Sequence, residues 1–275
     1  KIQLLILTPS LECGGSEKYV SGLCNHIDTQ RFSVCLVVVN NAKPFYTITN
    51  PAVEVIDLEK SRVLFSLSSI KAIVKKVNPD IVFSTANHLN LYLAIFRNRF
   101  SKKMKFIARE ASIVSINSRQ AKMPDLYNRL IRKYYHRFDM IICQSAYMQH
   151  DLVKNYHIPE HKTTVLHNAT PEVPVKIKPA TGQPVARVHT FITVARLSTE
   201  KGIERLVHAV GLLTIPFQYF IIGEGDQRNQ LQQLIDELQL QDKIILTGEK
   251  PEPFAGLDNA DLLLVGSYYE GFPNV

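Results

Sequence analysis

A carboxylate followed at once by a glycine marks the segment SYYEGFPNV, at residues 267–275. Glu270 comes just after the apolar run ADLLLV, which is typical of a strand. A carboxylate in a loop after a strand can accept hydrogen bonds from ligand hydroxyls, and Gly271 permits close backbone approach. Pro273 and Asn274 can begin a helix whose N–H groups donate to phosphate or sugar oxygens. The alternative is a capped surface turn.

Two cations define a second candidate loop, in the segment VARLSTEKGIERLV. Arg196 lies just past a predicted strand and Lys201 lies where the next helix is predicted to begin. An arginine can grip a phosphate with two parallel hydrogen bonds, and a lysine adds a mobile point charge. The pair therefore suits a diphosphate. The alternative is that both are solvated surface charges, as most lysines and arginines are.

Two further loops contain glycines beside a predicted helix. Gly14 and Gly15 precede the first helix, where free N–H groups and the helix dipole favour an anion. A plain turn with Ser16 as N-cap explains them equally well. Gly223 and Glu224 lie in a G-x-G segment that lacks the third glycine of a dinucleotide fingerprint, so dinucleotide binding is disfavoured.

These loops are separated by apolar strands that alternate with amphipathic helices along the whole chain. Such alternation predicts α/β domains with doubly wound parallel sheets. We predict a first domain at 1–172, a linker at 173–187 and a second, incomplete domain at 188–275. Open sheets of this kind bind ligands beyond the carboxyl ends of their strands, which is where all four candidate loops lie.

The net charge of the chain favours anionic partners but does not identify one of them. A net charge of +7 and a pI near 9.1 favour an anionic partner, such as a phosphorylated metabolite, nucleic acid or an acidic membrane surface. The basic residues are not interleaved with an aromatic platform, so we predict no nucleic acid partner. No apolar run approaches the roughly 18–20 residues that span a bilayer. Four cysteines without metal-site spacing predict buried free thiols and a cytoplasmic location.

Taken together, the motifs GGSEK, VARLSTEKGIERLVHAV and SYYEGFPNV resemble the retaining glycosyltransferases of family 4, which have the two-domain GT-B fold. The resemblance covers essentially the whole chain. The family carries two glutamates separated by seven residues, and Glu270 matches the first. The second would fall just beyond Val275, so the sequence is expected to be incomplete at its carboxyl end.

The resemblance implies a site for a nucleotide-sugar donor, with a UDP-sugar as the first expectation. The cations and glycine amides would stabilise the negative charge that develops on the departing nucleotide. The residues implied to bind donor are Gly14, Gly15, Arg196, Lys201, Gly223, Glu224, Gly271, Phe272, Pro273 and Asn274.

The resemblance also implies three catalytic residues. Glu270 would orient the donor sugar and favour an oxocarbenium-like transition state. Glu110, next to Arg109, would orient the acceptor or support the reacting sugar. His88 is the other polar candidate, with helix capping or plain surface exposure as its alternative. The sequence contains no Asp-x-Asp motif, so we predict transfer without a metal and without any cofactor.

The acceptor is expected on the first domain, as a glycan or a polyprenyl-linked sugar of a cell-surface polysaccharide. Arg129, Arg132 and Lys133 lie near two tyrosines on a predicted helix that could rest on the anionic inner face of the cytoplasmic membrane. The alternative is a solvated helix face with its tyrosines in the core. A nucleotide-sugar 2-epimerase of the same fold and a non-catalytic nucleotide-sugar binder are the rival functions.

Overall fold

The computed structural model describes residues 1–169, 188–250 and 260–272. Among these, residues 1–169 together with Gly271 and Phe272 form one compact unit. The second unit is formed by residues 188–250 and 260–270.

The first unit is built on a seven-stranded sheet in which every neighbouring pair of strands is parallel. Its strands are β1 (Ile2–Thr8), β2 (Phe32–Val38), β3 (Val53–Asp57), β4 (Ile81–Thr85), β5 (Lys105–Arg109), β6 (Met140–Cys143) and β7 (Thr163–Val165). The order across the sheet is β3-β2-β1-β4-β5-β6-β7. The chain thus builds outward from β1 on one side, then returns to place β4 on its other side. This reversal makes the β1/β4 boundary a topological switch point.

Helices connect these strands. They are α1 (Gly15–His26), α2 (Leu67–Val77), α3 (Asn87–Phe96), α4 (Val114–Asn117), α5 (Pro124–Tyr134) and α6 (Ala146–Tyr156). Local sequence explains their ends. Pro124 occupies the first turn of α5, where its missing N–H costs nothing. The Ser145 side chain caps α6 by accepting from the Met148 amide, and Asn78 ends α2 in the left-handed conformation that asparagine tolerates.

The core of the first unit lies on both faces of the central strands. Leu5, Ile6 and Leu7 of β1 are completely buried, as expected for a parallel strand covered by helices on both sides. One face packs against Val20 and Cys24 of α1. The apolar runs of β1 and β2 therefore form the core of the sheet. Polar groups lie in the loops beyond the carboxyl ends of these strands.

The second unit repeats this plan at smaller size. Its strands are β8 (His189–Val194), β9 (Phe217–Ile222), β10 (Ile244–Gly248) and β11 (Leu262–Leu263), and its helices are α7 (Ile203–Gly211) and α8 (Arg228–Glu237). The strands are parallel and lie in the order β10-β9-β8-β11. The switch point is therefore the β8/β11 boundary. Tyr219, Ile221 and Val207 are among the buried residues of its core.

The predicted fold class of doubly wound parallel α/β units is confirmed. Sequence reasoning did not predict β3 or the single turn of α4. The prediction of four buried thiols is wrong for Cys13, which is exposed in the loop before α1, whereas the other three cysteines are buried. Among the described residues, no helix is both long enough and apolar enough to span a bilayer.

Candidate active site

The switch point of the second unit brings two of the predicted loops together. Leu262 and Leu263 of β11 pair with Phe191 and Ile192 of β8, so both strands deliver their following loops to the same edge. Lys201 lies in the loop after β8, and its Nζ donates to Glu270 Oε1 at 2.8 Å. Two motifs that are far apart in sequence thus form one charged pair.

The carboxylate of Glu270 is held from one side. Ser267 Oγ donates to Glu270 Oε1, the same oxygen that accepts from Lys201. Oε2 accepts no hydrogen bond from the described residues, which leaves it able to accept one from a ligand hydroxyl. The side chains of Lys201 and Glu270 are 25% and 18% exposed. The pair is therefore partly desolvated, which strengthens its attraction, yet it can still be reached from solvent.

Backbone contacts lock these two loops together. The Tyr268 amide donates to the Glu200 carbonyl at 2.9 Å, and Arg205 Nη2 donates to the Ser267 carbonyl at 3.0 Å. Gly202 has a φ of 57°, and a Cβ built there would collide with the Gly266 carbonyl oxygen. Only glycine satisfies both conditions, so Gly202 sets the close approach that places Lys201 beside Glu270.

Arg196 lies at the same end of β8, and its side chain is exposed. Gly223, just past β9, has a φ of 147°, and a Cβ there would collide with the Ala195 carbonyl oxygen. The Glu224 carbonyl accepts from the Leu197 amide at 2.9 Å, while its carboxylate accepts from Arg228 at 2.8 Å. Gly223 and Glu224 thus shape the loop of Arg196 through their backbone. Their predicted contact with a donor stays a prediction.

At the switch point of the first unit, two neutral side chains join the start of α1 to the end of β4. Ser16 Oγ and Thr85 Oγ1 share a hydrogen bond of 2.7 Å, which ties the first turn of α1 to the end of β4. Gly14 is the N-cap of α1, and no side chain caps the helix there. The alternative of Ser16 as N-cap is therefore wrong, because its hydroxyl is turned toward Thr85. Gly15 is the first helical residue.

The chain leaves β4 through a strained residue. Ala86 has a φ of 78°, a region that costs a residue with a Cβ about 1–3 kcal/mol. This conformation directs the chain into α3, whose first turn contains His88. The His88 side chain is exposed, although partial burial of its surroundings lowers the pKa of the imidazole. The neutral ring, which can both donate and accept a hydrogen bond, is favoured near neutral pH.

Glu110 lies beyond β5 and is completely buried. Its Oε1 accepts hydrogen bonds from Asn90 Nδ2 at 2.8 Å and from the Tyr135 hydroxyl at 3.0 Å. Desolvation raises its pKa to about 7, even though those two hydrogen bonds favour the anion. Its carbonyl accepts from Gln144 Nε2 at 2.9 Å. Glu110 is therefore the centre of a polar network rather than a group in contact with solvent.

Arg109 lies beside this network and is only 1% exposed. Its guanidinium lies 3.8 Å from the ring centroid of Tyr19 on α1, and its Nη2 donates to Asn168 Oδ1. Asn168 in turn donates to Gln144 Oε1 at 3.0 Å. Burial lowers the pKa of Arg109 to about 10, so it remains a cation at neutral pH. Its Nε and Nη1 atoms are buried without a hydrogen-bond partner among the described residues.

The predicted residues at the end of the chain divide into two groups. Gly271 and Phe272 pack with the first unit, where the Phe272 ring stacks on His167 with a centroid separation of 5.0 Å. Gly271 lies beside Met148, whose Sδ would be 2.7 Å from a Cβ built on that glycine. Pro273 and Asn274 lie outside the described residues.

Several polar partners at these sites were not found by sequence reasoning. Ser267 lies within the segment SYYEGFPNV, three residues before Glu270, and this spacing is the signal that could have identified it. Thr85, Asn90 and Tyr135 carry no comparable signal. Tyr135 is completely buried, as the alternative interpretation of the basic run expected, but nothing in that run indicates its hydrogen bond to Glu110.

Comparison with protein families matches both halves of the sequence. The family described as Glycosyltransferase Family 4 matches residues 13–171, and that described as Glycosyl transferases group 1 matches residues 181–275. Both matches agree with the division of the chain into two α/β units.

Individual relatives and structures are also similar to this chain. The N-acetylgalactosamine-N,N'-diacetylbacillosaminyl-diphospho-undecaprenol 4-alpha-N-acetylgalactosaminyltransferase of Campylobacter jejuni is 28% identical over 284 residues, covering 99% of this chain and 76% of the relative. The putative colanic acid biosynthesis glycosyltransferase WcaL of Salmonella typhimurium is 39% identical over 82 residues, covering 28% of this chain and 20% of the relative. The structure of Anabaena Alr3699/HepE in complex with UDP and glucose has a TM-score of 0.73 at 19% identity, covering 99% of this chain and 76% of that one. At that identity the likeness shows the fold.

Proposed function

The chain belongs to glycosyltransferase family 4, and from this premise we propose that it is a retaining enzyme that uses a nucleotide-sugar donor, with UDP as the nucleotide. The acceptor is a glycan or a lipid-linked sugar on the route to a cell-surface polysaccharide. Two similarities support this proposal. The Campylobacter relative is named for transfer to a diphospho-undecaprenol-linked sugar, and the Anabaena structure holds UDP and glucose.

The observation that carries the proposal is the Lys201–Glu270 pair at the switch point of the second unit. An ammonium group has three N–H donors, and one of those of Lys201 reaches Glu270. The others can bind phosphate oxygens, while Glu270 Oε2 accepts from a hydroxyl of the sugar. One pair of side chains thus binds the groups on both sides of a sugar–phosphate bond.

The proposed reaction uses this arrangement. The bond between the anomeric carbon and the phosphate oxygen breaks, and its electron pair stays on the nucleoside diphosphate. Lys201 and the exposed Arg196 stabilise the charge that develops there. The acceptor oxygen bonds to the anomeric carbon on the same face, and its proton passes to the departing phosphate oxygen. The departing phosphate takes the proton, so no enzyme base is required. Because the acceptor attacks on the face from which the phosphate departs, the configuration is retained without a covalent intermediate.

We propose that neither a metal nor a cofactor is needed. Arg196 and Lys201 supply positive charge for the departing diphosphate, while the predicted donor contacts of Gly14 and Gly15 stay a prediction. Since the sequence has no Asp-x-Asp motif, transfer is expected to continue at its full rate in excess EDTA.

In the first unit we assign the contact with substrate to His88 and a positioning role to Glu110. His88 is exposed beside the strained end of β4, where it can exchange hydrogen bonds with sugar hydroxyls. Glu110 is completely buried and acts through Asn90 and Tyr135, which bind its carboxylate. This assignment replaces direct contact between Glu110 and the reacting groups.

A lipid-linked acceptor requires approach to a membrane, and we propose that the first unit makes it at the cytoplasmic face. Leu64 and Phe65 are 69% and 62% exposed, and they lie just before α2. The exposed basic side chains of α5 are Arg129, Arg132 and Lys133. Exposed apolar side chains and exposed basic side chains each favour the interface of an anionic bilayer. Tyr135, by contrast, is a core residue, as the alternative interpretation of this helix expected.

The proposal is tested first by ligand binding and then by product analysis. UDP-sugars and GDP-sugars are screened by differential scanning fluorimetry, because a ligand that binds the folded state raises its melting temperature. The donor that binds is then incubated with lipid-linked and free glycan acceptors, and the products are analysed by mass spectrometry and NMR. We expect an acceptor extended by one sugar with retained configuration. A 2-epimer formed without any acceptor would instead identify an epimerase, and binding without turnover would identify a binding protein.

A further inference from the structure

The loop that leads to Glu270 lies along the start of α7. Gly202 and Gly266 approach each other closely, because a Cβ built on Gly202 would collide with the Gly266 carbonyl oxygen. A Cβ built on Gly266 would in turn lie 2.7 Å from Leu206 Cγ. The segment just before Glu270 is therefore in direct contact with residues 202–206, and a side chain from this part of α7 can hold the segment in shape.

Arg205, in the first turn of α7, makes two different contacts with this segment. Its Nη2 donates to the Ser267 carbonyl at 3.0 Å, and its guanidinium carbon lies 4.5 Å from the ring centroid of Tyr268. A planar guanidinium can donate hydrogen bonds in its plane while its face stacks on a ring, whereas the ammonium of a lysine is a compact point charge. Arg205 therefore restrains two successive residues, Ser267 through its main chain and Tyr268 through its side chain.

Ser267 connects this restraint to the carboxylate of Glu270. Its carbonyl accepts from Arg205, and its hydroxyl donates to Glu270 Oε1. The same carboxylate oxygen accepts from Lys201 Nζ at 2.8 Å. A shift of Ser267 would leave Lys201 as the only one of these two donors, and a single hydrogen bond does not fix the direction of a carboxylate.

We propose that Arg205 is a positioning residue for Glu270. It holds Ser267 and Tyr268 in place, so that the carboxylate keeps Oε1 on Lys201 and Ser267 and presents Oε2 to the donor sugar. Arg205 itself does not touch the substrate. A misplacement of about 1 Å in a reacting geometry can cost about 10²-fold in rate, so such a restraint has consequences for catalysis. This inference rests on the proposed function and deepens it, because it names the side chain that aims the carboxylate.

The positioning role can be separated from a role in stability. Arg205 is exposed, and Tyr268 is 58% exposed. A contact between an exposed cation and an exposed ring adds little to the stability of the folded state. We therefore expect Arg205→Met to fold and to change the melting temperature by less than about 4 °C.

The test measures sugar transfer by the wild type and by Arg205→Met in the full chain, with the donor found in the screen and the acceptor that it extends. We expect kcat to fall about tenfold and the KM for the donor to change by less than about twofold, because Glu270 acts mainly in the transition state. The matched control is Lys243→Met, which removes an exposed cation 5.3 Å from the ring centroid of Phe217, just before β10. That variant should keep both constants within about twofold of the wild type.

Two further variants distinguish positioning from other roles of the arginine. In a Glu270→Gln background, Arg205→Met should lower kcat by less than about a further twofold, since the carboxylate that it positions is already gone. Arg205→Lys keeps the charge without the planar contacts, so its kcat should stay at least about fivefold below that of the wild type.

Three results would overturn the inference. They are a wild-type rate for Arg205→Met, a full further loss of about tenfold in the Glu270→Gln background, and full recovery in Arg205→Lys, which would show that only the charge is used. If the wild type transfers sugar from no donor, it is the proposed function that fails, and the inference falls with it.

Discussion

The two switch points of this protein occupy equivalent places in their sheets but are closed by different chemistry. In the first unit a hydrogen bond of 2.7 Å joins the hydroxyls of Ser16 and Thr85. In the second an ammonium–carboxylate contact of 2.8 Å joins Lys201 and Glu270. The topology delivers two loops to one edge in both cases, and the residue types decide what that edge can do.

Burial explains the difference. Thr85 is completely buried, and a pair of neutral hydroxyls survives there because each satisfies the other. Lys201 and Glu270 keep part of their surface in water, so the desolvation that makes buried ion pairs costly is only partly incurred. The first contact is therefore suited to fixing shape. The second keeps charged groups available to a ligand.

Among the substitutions that test this difference between the two switch points, Glu270→Gln is expected to have the largest effect. Loss of the negative charge weakens the acceptor for the sugar hydroxyl and removes the electrostatic stabilisation of the cationic transition state, so the transfer rate should fall by about 10²–10³-fold. The melting temperature should change little, because a partly exposed ion pair contributes at most about 1 kcal/mol. Both are measured on the purified protein with the donor found in the screen. A variant that transfers sugar at the wild-type rate would remove Glu270 from the mechanism.

Gly202→Ala is expected to have the next largest effect. The added Cβ meets the Gly266 carbonyl at a backbone φ of 57°, and strain and overpacking together should lower the free energy of unfolding by about 2–5 kcal/mol. Urea denaturation measures the change. The matched control is Gly22→Ala in α1, where a new Cβ meets nothing within 4 Å. That substitution should stabilise the helix by about 0.5–1 kcal/mol. Equal effects of the two changes would contradict the assigned contact.

The third expected effect depends on pH and comes from Glu110→Gln. Burial raises the pKa of Glu110 from 4.5 to about 7, so between these values the unfolded chain loses its proton first and the free energy of unfolding falls as pH rises. The neutral amide of the variant has no proton to lose and so avoids this penalty. The advantage of the variant in melting temperature over wild type should grow from about pH 5 to about pH 8 and then level off.

The control for this pH dependence is Glu54→Gln, which changes an exposed glutamate of β3. Its difference from wild type should stay nearly constant over the same range. A constant difference for Glu110→Gln as well would mean that Glu110 is ionised throughout.

The smallest effect is expected from breaking the hydroxyl pair of the first switch point. Ser16→Ala and Thr85→Val should each lower the free energy of unfolding by about 1 kcal/mol, because each leaves the other hydroxyl without its partner. The double variant should cost less than the sum of the two, since it leaves no orphaned group. Chemical denaturation of the four proteins measures this coupling. Strict additivity would show that the contact contributes nothing.

Sequence reasoning found most of the fold because the central strands carry continuous apolar runs. It missed β3, whose sequence VEVID is short and exposes Glu54 at the edge of the sheet. The periodicity of a single alternating run of this length is too short to identify a strand by itself. Only its pairing with β2, from Val34 to Val38, identifies it.

The candidate site was predicted as separate loops, and their pairing was not. Lys201 and Glu270 are 69 residues apart, and nothing in either motif states that the two side chains meet. The network of Glu110 is harder still to predict, because Asn90 lies in α3 and Tyr135 lies just past the end of α5. Local patterns identify groups with suitable chemistry. Which groups share a partner is decided by the strand order.

That strand order also has a consequence for how the protein is made. β1 pairs on one side with β2 and on the other with β4, so this inner strand of the sheet is synthesised before both of its neighbours. Until Ile81–Thr85 has been synthesised, one side of this apolar strand has no neighbour and offers its hydrogen-bonding groups to any other nascent chain. The nascent chain is therefore prone to non-native strand pairing during the seconds of translation that separate these two strands.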